Sequence, residues 1–422
     1  MSKGLEQGRT SQELLREREQ RITAAIGLHT TDRVPVTCPL GFFVAKYSGI
    51  PCSAAYYDWD AWMAAYRKAL DEFRPDMAFI QPLEPGKAME CLDTTILRWP
   101  GYGVDPNHGM QSIEIEGLKE DEYDFFLSNP ADYLMRRHLP RVFGGLKVLS
   151  MLPELADTTG WLEPWSGERI AMWVTDPEVV AAFAKVQEAG RELRKCKARE
   201  AEFDQLLRDY GLPQMFQGDI MPPFDVVSHS LRGMKGTMLD MFRQPDKLLA
   251  TCEFLLEKAL ERPLPPPNDN GQTRMFITNT RGSDNFMSTK QFETFYWPTF
   301  KKLVMSLIER GATPCVFFEG NFDSRLEYLL DFPKGSILVR LDKTDIFKAK
   351  EILGGHLCIE GNVPSTLLQM GSVQEVKDHC KKLIDVVGKG GGFILGPRSS
   401  TDEVKPENLK AMIEFTKEYG RY

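Results

Sequence analysis

Four short apolar runs in the C-terminal half each end in groups suited to acid–base or anion-binding chemistry. They lead into Asn279-Thr280-Arg281-Gly282-Ser283-Asp284, Glu319-Gly320-Asn321, Arg340-Leu341-Asp342 and Glu360-Gly361-Asn362. A single Asp or Asn after a strand commonly caps the next helix. Acids after four successive runs exceed what capping requires. Buried or paired near an apolar run, a carboxyl can donate a proton to a poor leaving group, and Arg can grip an anion in bidentate fashion. The expected catalytic set is Glu319, Asp342 and Asp284. His229, Arg281, Phe317, Arg340, Asn362 and Arg398 are the expected substrate-binding set.

Other groups read as structural. His356, Cys358 and Glu360 share one face of a strand, yet His356 opens that strand, about 13 Å from Glu360 at roughly 3.3 Å per residue and at the opposite end of the barrel. His379-Cys380 sits in a Lys-rich helical stretch. The glycine run at 388–392 lacks P-loop spacing and precedes a strand, so it reads as a turn. The eight cysteines are scattered without a C-x-x-C pair and read as reduced thiols.

These residues need elements to hold them. Apolar runs near 275–278, 315–318, 337–341, 357–359 and 393–395 alternate with helical patterns at 248–261, 289–310 (kinked at Pro298), 325–330, 345–353, 373–387 and 406–419. Earlier strands are expected at 33–38, 76–81 and 214–217. A helix at 53–73 is expected to be capped by Ser53. Eight strands alternating with helices predict an α/β fold of the (β/α)8 TIM-barrel class, whose reacting groups sit at the C-terminal ends of the strands. The predicted organisation is an N-terminal helical extension over 1–30 and a barrel over 31–422. A large insertion after strand two, about 85–211, includes a long charged helix from about 177 to 210.

With 52 Lys+Arg against 60 Asp+Glu, the net charge of −8 disfavours sequence-independent nucleic-acid binding. No run approaches the roughly 18 apolar residues of a membrane span, and a cytoplasmic location is expected.

Taken in order, DRVPV (32–36), RGMKGTMLDMFRQP (232–245), FMSTKQFETFYWP (286–298), EGNVP (360–364), GGFIL (391–395) and KPENLKAM (405–412) resemble the uroporphyrinogen decarboxylase superfamily, essentially from residue 20 onward. The resemblance implies a (β/α)8 barrel and either porphyrinogen decarboxylation or corrinoid-dependent methyl transfer. The decarboxylase branch carries paired arginines after strand one and an Asp after strand two. Here CPLGFFVAKYSG (38–49) has no Arg and the Asp position holds Leu83, beside Glu84. The thiol-activating methyltransferases carry a His-x-Cys and a later Cys as zinc ligands. Here those positions are Phe317 and Glu319, and GPRSSTDE (396–403) has no Cys.

The resemblance therefore implies a methyltransferase that moves a methyl group from a small, largely apolar donor, such as an aryl methyl ether, to a cobalamin-type corrinoid on a partner protein. Glu319 is expected to act as acid or as an oxygen ligand to Zn²⁺ without thiolates, with Phe317, Phe318 and Trp297 shaping the pocket. The alternatives are a decarboxylase or other lyase gripping a carboxylated substrate through Arg281, Arg340 and Arg398, or an inert homologue that binds a tetrapyrrole.

Overall fold

The structure is a computed structural model describing residues 8–79, 83–154 and 158–422. Eight parallel strands form the barrel: β1 (Thr37–Pro39), β2 (Met77–Phe79), β3 (Gly218–Asp219), β4 (Arg274–Asn279), β5 (Thr313–Phe318), β6 (Leu338–Leu341), β7 (Cys358–Val363) and β8 (Phe393–Pro397). Strands β3 to β8 pair in sequence order and β1 pairs with β2. Parallel bridges Val36–Leu395 and Ala78–Gln214 join the two pieces into a closed ring, so no strand edge of the barrel is left open. The second strand was expected to run to 81, and its last two positions lie outside the described residues.

Side chains alternate in and out along each strand. Outward residues such as Ile277, Val316, Val339 and Ile359 join the main apolar core. Inward residues Met77, Met215, Cys315, Leu338, Cys358 and Ile394 make a separate plug at the barrel floor, closed by Ile22, Ala25 and Ile26. Those three belong to α1 (Ser11–Ile26), which opens with a Thr10–Glu13 capping box. A floor ion pair ties α1 to the barrel: Glu19 and Arg274 are both buried, with Arg274 Nη2 donating to Glu19 Oε2 at 3.0 Å. The predicted extension is thus the barrel's base.

Three local expectations differ from what is observed. Ser53 makes no side-chain cap; a short helix at Ala54–Tyr57 breaks at Asp58, which caps α2 (Trp59–Glu72) by accepting from Ala61 N–H. The third strand pairs at Gly218–Asp219, with only the bridge at Gln214 falling in the expected 214–217. The helix expected to kink at Pro298 contains a π-turn at Phe292–Tyr296 just before α3 (Trp297–Glu309). Pro298 cannot donate its missing N–H, and the wider turn absorbs the clash.

Between β2 and β3 lie a small sheet of Leu97–Pro100, Gly103–Val104 and Gln111–Ser112, several short helices, and the 33-residue helix Pro177–Asp209 capped by Asp176. Among the described residues no helix is long and apolar enough to cross a membrane.

Candidate active site at the barrel mouth

Register places the chemistry in two rows. Thr278 pairs with Phe317, Phe317 with Arg340, and Arg340 with Glu360. All four lie across β4 to β7 in the lumen, one step above the floor plug. Two residues further along each strand come Thr280, Glu319, Asp342 and Asn362. That step is about 6.6 Å at roughly 3.3 Å per residue, and it puts the second row at the mouth.

Glu319 stands at this mouth, open to solvent on its outer side. The protein around its carboxyl desolvates it and raises its pKa; Asp342 raises it further, while Arg281 and Lys343 pull it the other way. Its carboxyl accepts no hydrogen bond from the described residues, so it is open to a ligand. Asp342 is nearly buried and accepts from Gly320 N–H at 3.0 Å, fixing the loop that carries Glu319. Asn362 spends its amide donors on the Asp342 and Thr344 carbonyls, 3.1 Å each, and so clasps the β6 end.

Beside Glu319 lies a network that the sequence did not reveal. Asp225, fully buried, accepts from Tyr296 Oη at 2.5 Å, from Thr280 Oγ1 at 2.7 Å and from Arg281 N–H at 2.9 Å. Burial lifts Asp225 to about 6, against the pull of those donors and of the Arg281 charge. Thr280 Oγ1 also lies 2.7 Å from His229 Nε2. Arg281 donates from Nε to Ser228 Oγ at 2.9 Å, sits over the Phe286 ring at 5.1 Å, and has Nη2 3.4 Å from His229 Nδ1. Burial first, then Arg281, depress His229 to about 4.

The remaining expected residues are dispersed. Asp284 pairs with Arg325 at 3.1 Å and accepts from Ser324 Oγ at 2.6 Å and Ser324 N–H at 3.1 Å, tying down the loop after β5. Arg398 helps to depress the His379 imidazole, after burial and Lys382. Of the expected aromatic pocket, only Phe317 faces the lumen. Phe318 packs against Phe300 and Phe322, and Trp297 against Tyr328 and Phe332.

Two cavities open near the mouth. The larger, about 530 Å³, lies between β2, β3 and the helix Pro177–Asp209; it is mostly apolar, with Phe203, Phe216 and Met221 in its wall. The smaller, about 310 Å³, is in the lumen itself, lined by Phe42, Met110, Phe276, Phe317 and Arg340. The smaller is the better candidate for chemistry, because Glu319 rises from the same face of β5 as Phe317. Behind Arg340, Glu360 is buried, 3.8 Å from Arg340 Nε, and accepts from Thr37 Oγ1 at 2.5 Å. Gly396 is required there: a Cβ at this position would meet Thr37 Oγ1 at 2.7 Å and Glu360 Oε1 at 3.3 Å. Cys315 and Cys358 lie below, in the floor plug. Among the described residues no three His, Cys, Asp or Glu side chains converge as metal ligands.

Comparison with known proteins agrees with this architecture. Residues 205–419 match the uroporphyrinogen decarboxylase (URO-D) family. Uroporphyrinogen decarboxylases of Chlorobium phaeovibrioides and Chlorobaculum parvum are 37% and 28% identical over 139 residues, which is 31% of this chain and 38% of each relative. The matched region thus spans about two fifths of those curated relatives. A methyltransferase from Methanosarcina mazei superposes with a TM-score of 0.57 at 18% identity, covering 95% of this chain and 98% of its own, which establishes the common barrel fold. With the family's match running from the end of the insertion through the last strand and helix, the chain belongs to the uroporphyrinogen decarboxylase family.

Proposed function

We propose that this enzyme transfers a methyl group from a small, largely apolar donor of the aryl methyl ether type to a corrinoid carried by a partner protein. The observation that supports this most is Glu319. It is a carboxyl with a raised pKa and no hydrogen-bond partner among the described residues, one step above the apolar Phe317 wall. An alkoxide or phenoxide is a poor leaving group unless it is protonated or bound to a Lewis acid. As the carbon–oxygen bond breaks, the methyl group leaves for the nucleophilic acceptor, and the ether oxygen keeps the bonding pair and takes the Glu319 proton. A reduced corrinoid supplies the nucleophile for such a transfer.

The mouth suits an acceptor held on another protein, because Glu319 and Met110 are exposed there while the lumen below is closed by α1. Asp342 keeps Glu319 protonated to higher pH. Without three convergent ligands, the described donor set does not fit a metal ion bound at Glu319, and the acid role rests on its proton. The three-arginine grip that a lyase reading needs is not assembled, since Arg281 is turned into the Asp225 network and, of the three, only Arg340 lines the lumen cavity.

The test is methyl transfer from a panel of aryl methyl ethers to free cob(I)alamin, followed by loss of the cob(I)alamin absorbance. Glu319→Gln keeps shape while removing the proton and should slow transfer by roughly 10²-fold or more. Near-normal turnover by that variant would overturn the assignment.

A further inference from the structure

The lumen cavity holds one cation among the residues that line it, Arg340, and that cation has no hydrogen-bonded partner among the described residues. Arg340 is only 7% exposed. Its guanidinium lies 5.3 Å from the centre of the Phe317 ring, which fixes the orientation of its plane. Nε is buried and unbonded, and the nearest acid oxygen, Glu360 Oε1, is 3.8 Å away and already accepts from Thr37. At that distance Glu360 offers charge but no hydrogen bond. The terminal nitrogens donate to none of the described residues and border the cavity of about 310 Å³. A buried guanidinium with open donors is costly unless a ligand completes it.

The chemistry of that ligand can be narrowed. A guanidinium edge matches the two oxygens of a carboxylate. Asp402, held by Phe42 N–H at 2.9 Å, lines the cavity, and Glu360 lies buried 3.8 Å behind Arg340; two acids this near disfavour a doubly charged phosphate. Phe276 and Phe317 present apolar walls to the rest of the molecule. From the Arg340 row to the Glu319 row is about 6.6 Å by strand rise, close to the length of one six-membered ring carrying a group at each end.

We propose that the substrate is a small organic monoanion whose carboxylate docks on Arg340, whose apolar body lies along Phe276 and Phe317, and whose far end reaches Glu319. The assignment deepens the methyl-transfer reading and rests on it only for which end of the ligand reacts.

Binding of benzoate, benzamide and inorganic phosphate to the full chain, measured by calorimetry, tests it. Benzoate should bind, benzamide should bind at least about 30-fold more weakly, and phosphate should not compete, the first contrast reflecting a lost charge-assisted pair. Arg340→Met should lose benzoate by at least a similar factor. If that variant folds poorly because Glu360 is left unpaired, Arg340→Lys, which keeps the charge but not the two-pronged geometry, should still weaken benzoate about tenfold. Benzoate carries no methyl group to transfer, so its binding is read without turnover, and failure of the methyl-transfer reading would leave this binding pattern intact. Equal binding of benzoate and benzamide, preference for phosphate, or full benzoate affinity in a folded Arg340 variant would overturn the proposal.

Discussion

Thr280 fixes the proton on His229. Its Oγ1 lies 2.7 Å from Asp225 Oδ1 and 2.7 Å from His229 Nε2. An ionised Asp225 can only accept, so the Thr280 hydroxyl proton points at it. What Thr280 offers His229 is then a lone pair, and His229 must carry its proton on Nε2. Its Nδ1 is left as an acceptor facing Arg281 Nη2 at 3.4 Å. With its pKa depressed to about 4, His229 is neutral near pH 7 and has no proton to lend from Nδ1. His229 is therefore not a proton donor from Nδ1 at the mouth, which agrees with the acid role proposed for Glu319.

Thr280→Val removes the hydroxyl and keeps the shape. His229 should then lose its fixed Nε2–H tautomer, and ¹⁵N spectra of the imidazole should move from one tautomer toward a mixture. Asp225 loses a donor as well, so stability should fall by about 1 to 2 kcal/mol. An unchanged imidazole spectrum would mean that Thr280 does not set the tautomer.

Arg281 acts on two titrations at once. Its charge depresses His229, after burial, and opposes the upward shift of Glu319 set by burial and Asp342. Arg281→Met should therefore raise both pKa values. Under the acid role proposed for Glu319 its protonated form is the active one, so activity should fall as pH rises through its pKa, and in the variant that fall should come at higher pH. An unmoved profile together with an unmoved His229 titration would rule out the coupling.

The legible part of this protein was whatever is written in contiguous residues. Strands β4 to β8 each leave a run of at least four residues whose outward faces are apolar, and the acids that follow them are the mouth row. Strand β3 pairs through only two residues, Gly218 and Asp219, and so leaves no run to find. Ser53 and Asp58 are both plausible caps, and the choice between them depends on where the chain turns. Asp225, at the start of a helical segment, looks like an ordinary first-turn acid. Its partners Thr280 and Tyr296 are 55 and 71 positions away, a closeness that barrel closure alone creates. Arg340 was readable as a strand-end cation, but its solitude in the cavity was not.

The floor plug gives a separate check on the fold. Of the eight cysteines only Cys91 is not buried, and Cys315 is pushed up to about 12 by burial. Native protein should titrate about one thiol quickly with a disulfide reagent and all eight in denaturant. Ile22→Ala, which loosens α1 over Cys315 and Cys358, should cost about 2 to 5 kcal/mol. It should also speed reaction of those two thiols selectively. Equal acceleration at Cys252, which lies in the main core, would show global opening instead of an undocked α1.

Asp225 makes the last prediction, through the pH dependence of stability. Burial raises its folded pKa to about 6, against roughly 3.9 in an unfolded chain. Between those values the folded protein holds a proton that the unfolded chain has released. The stability this group contributes is therefore fully present below about pH 4 and is lost as pH rises through about 6. With its oxygen in the Oδ1 position Asn still accepts from Thr280 and from Arg281 N–H, its NH2 can donate to Tyr296 Oη, and it does not titrate. Comparing urea unfolding at pH 5 and pH 7, the unaltered protein should lose on the order of 1 kcal/mol more than Asp225→Asn over that interval. The difference between the two proteins isolates Asp225 from carboxylates such as Asp76, which Arg33 and Arg21 hold ionised against burial and which titrates far below this window. Parallel pH dependence in the two proteins would show that Asp225 is ionised throughout, and that the buried network around it compensates its burial in full.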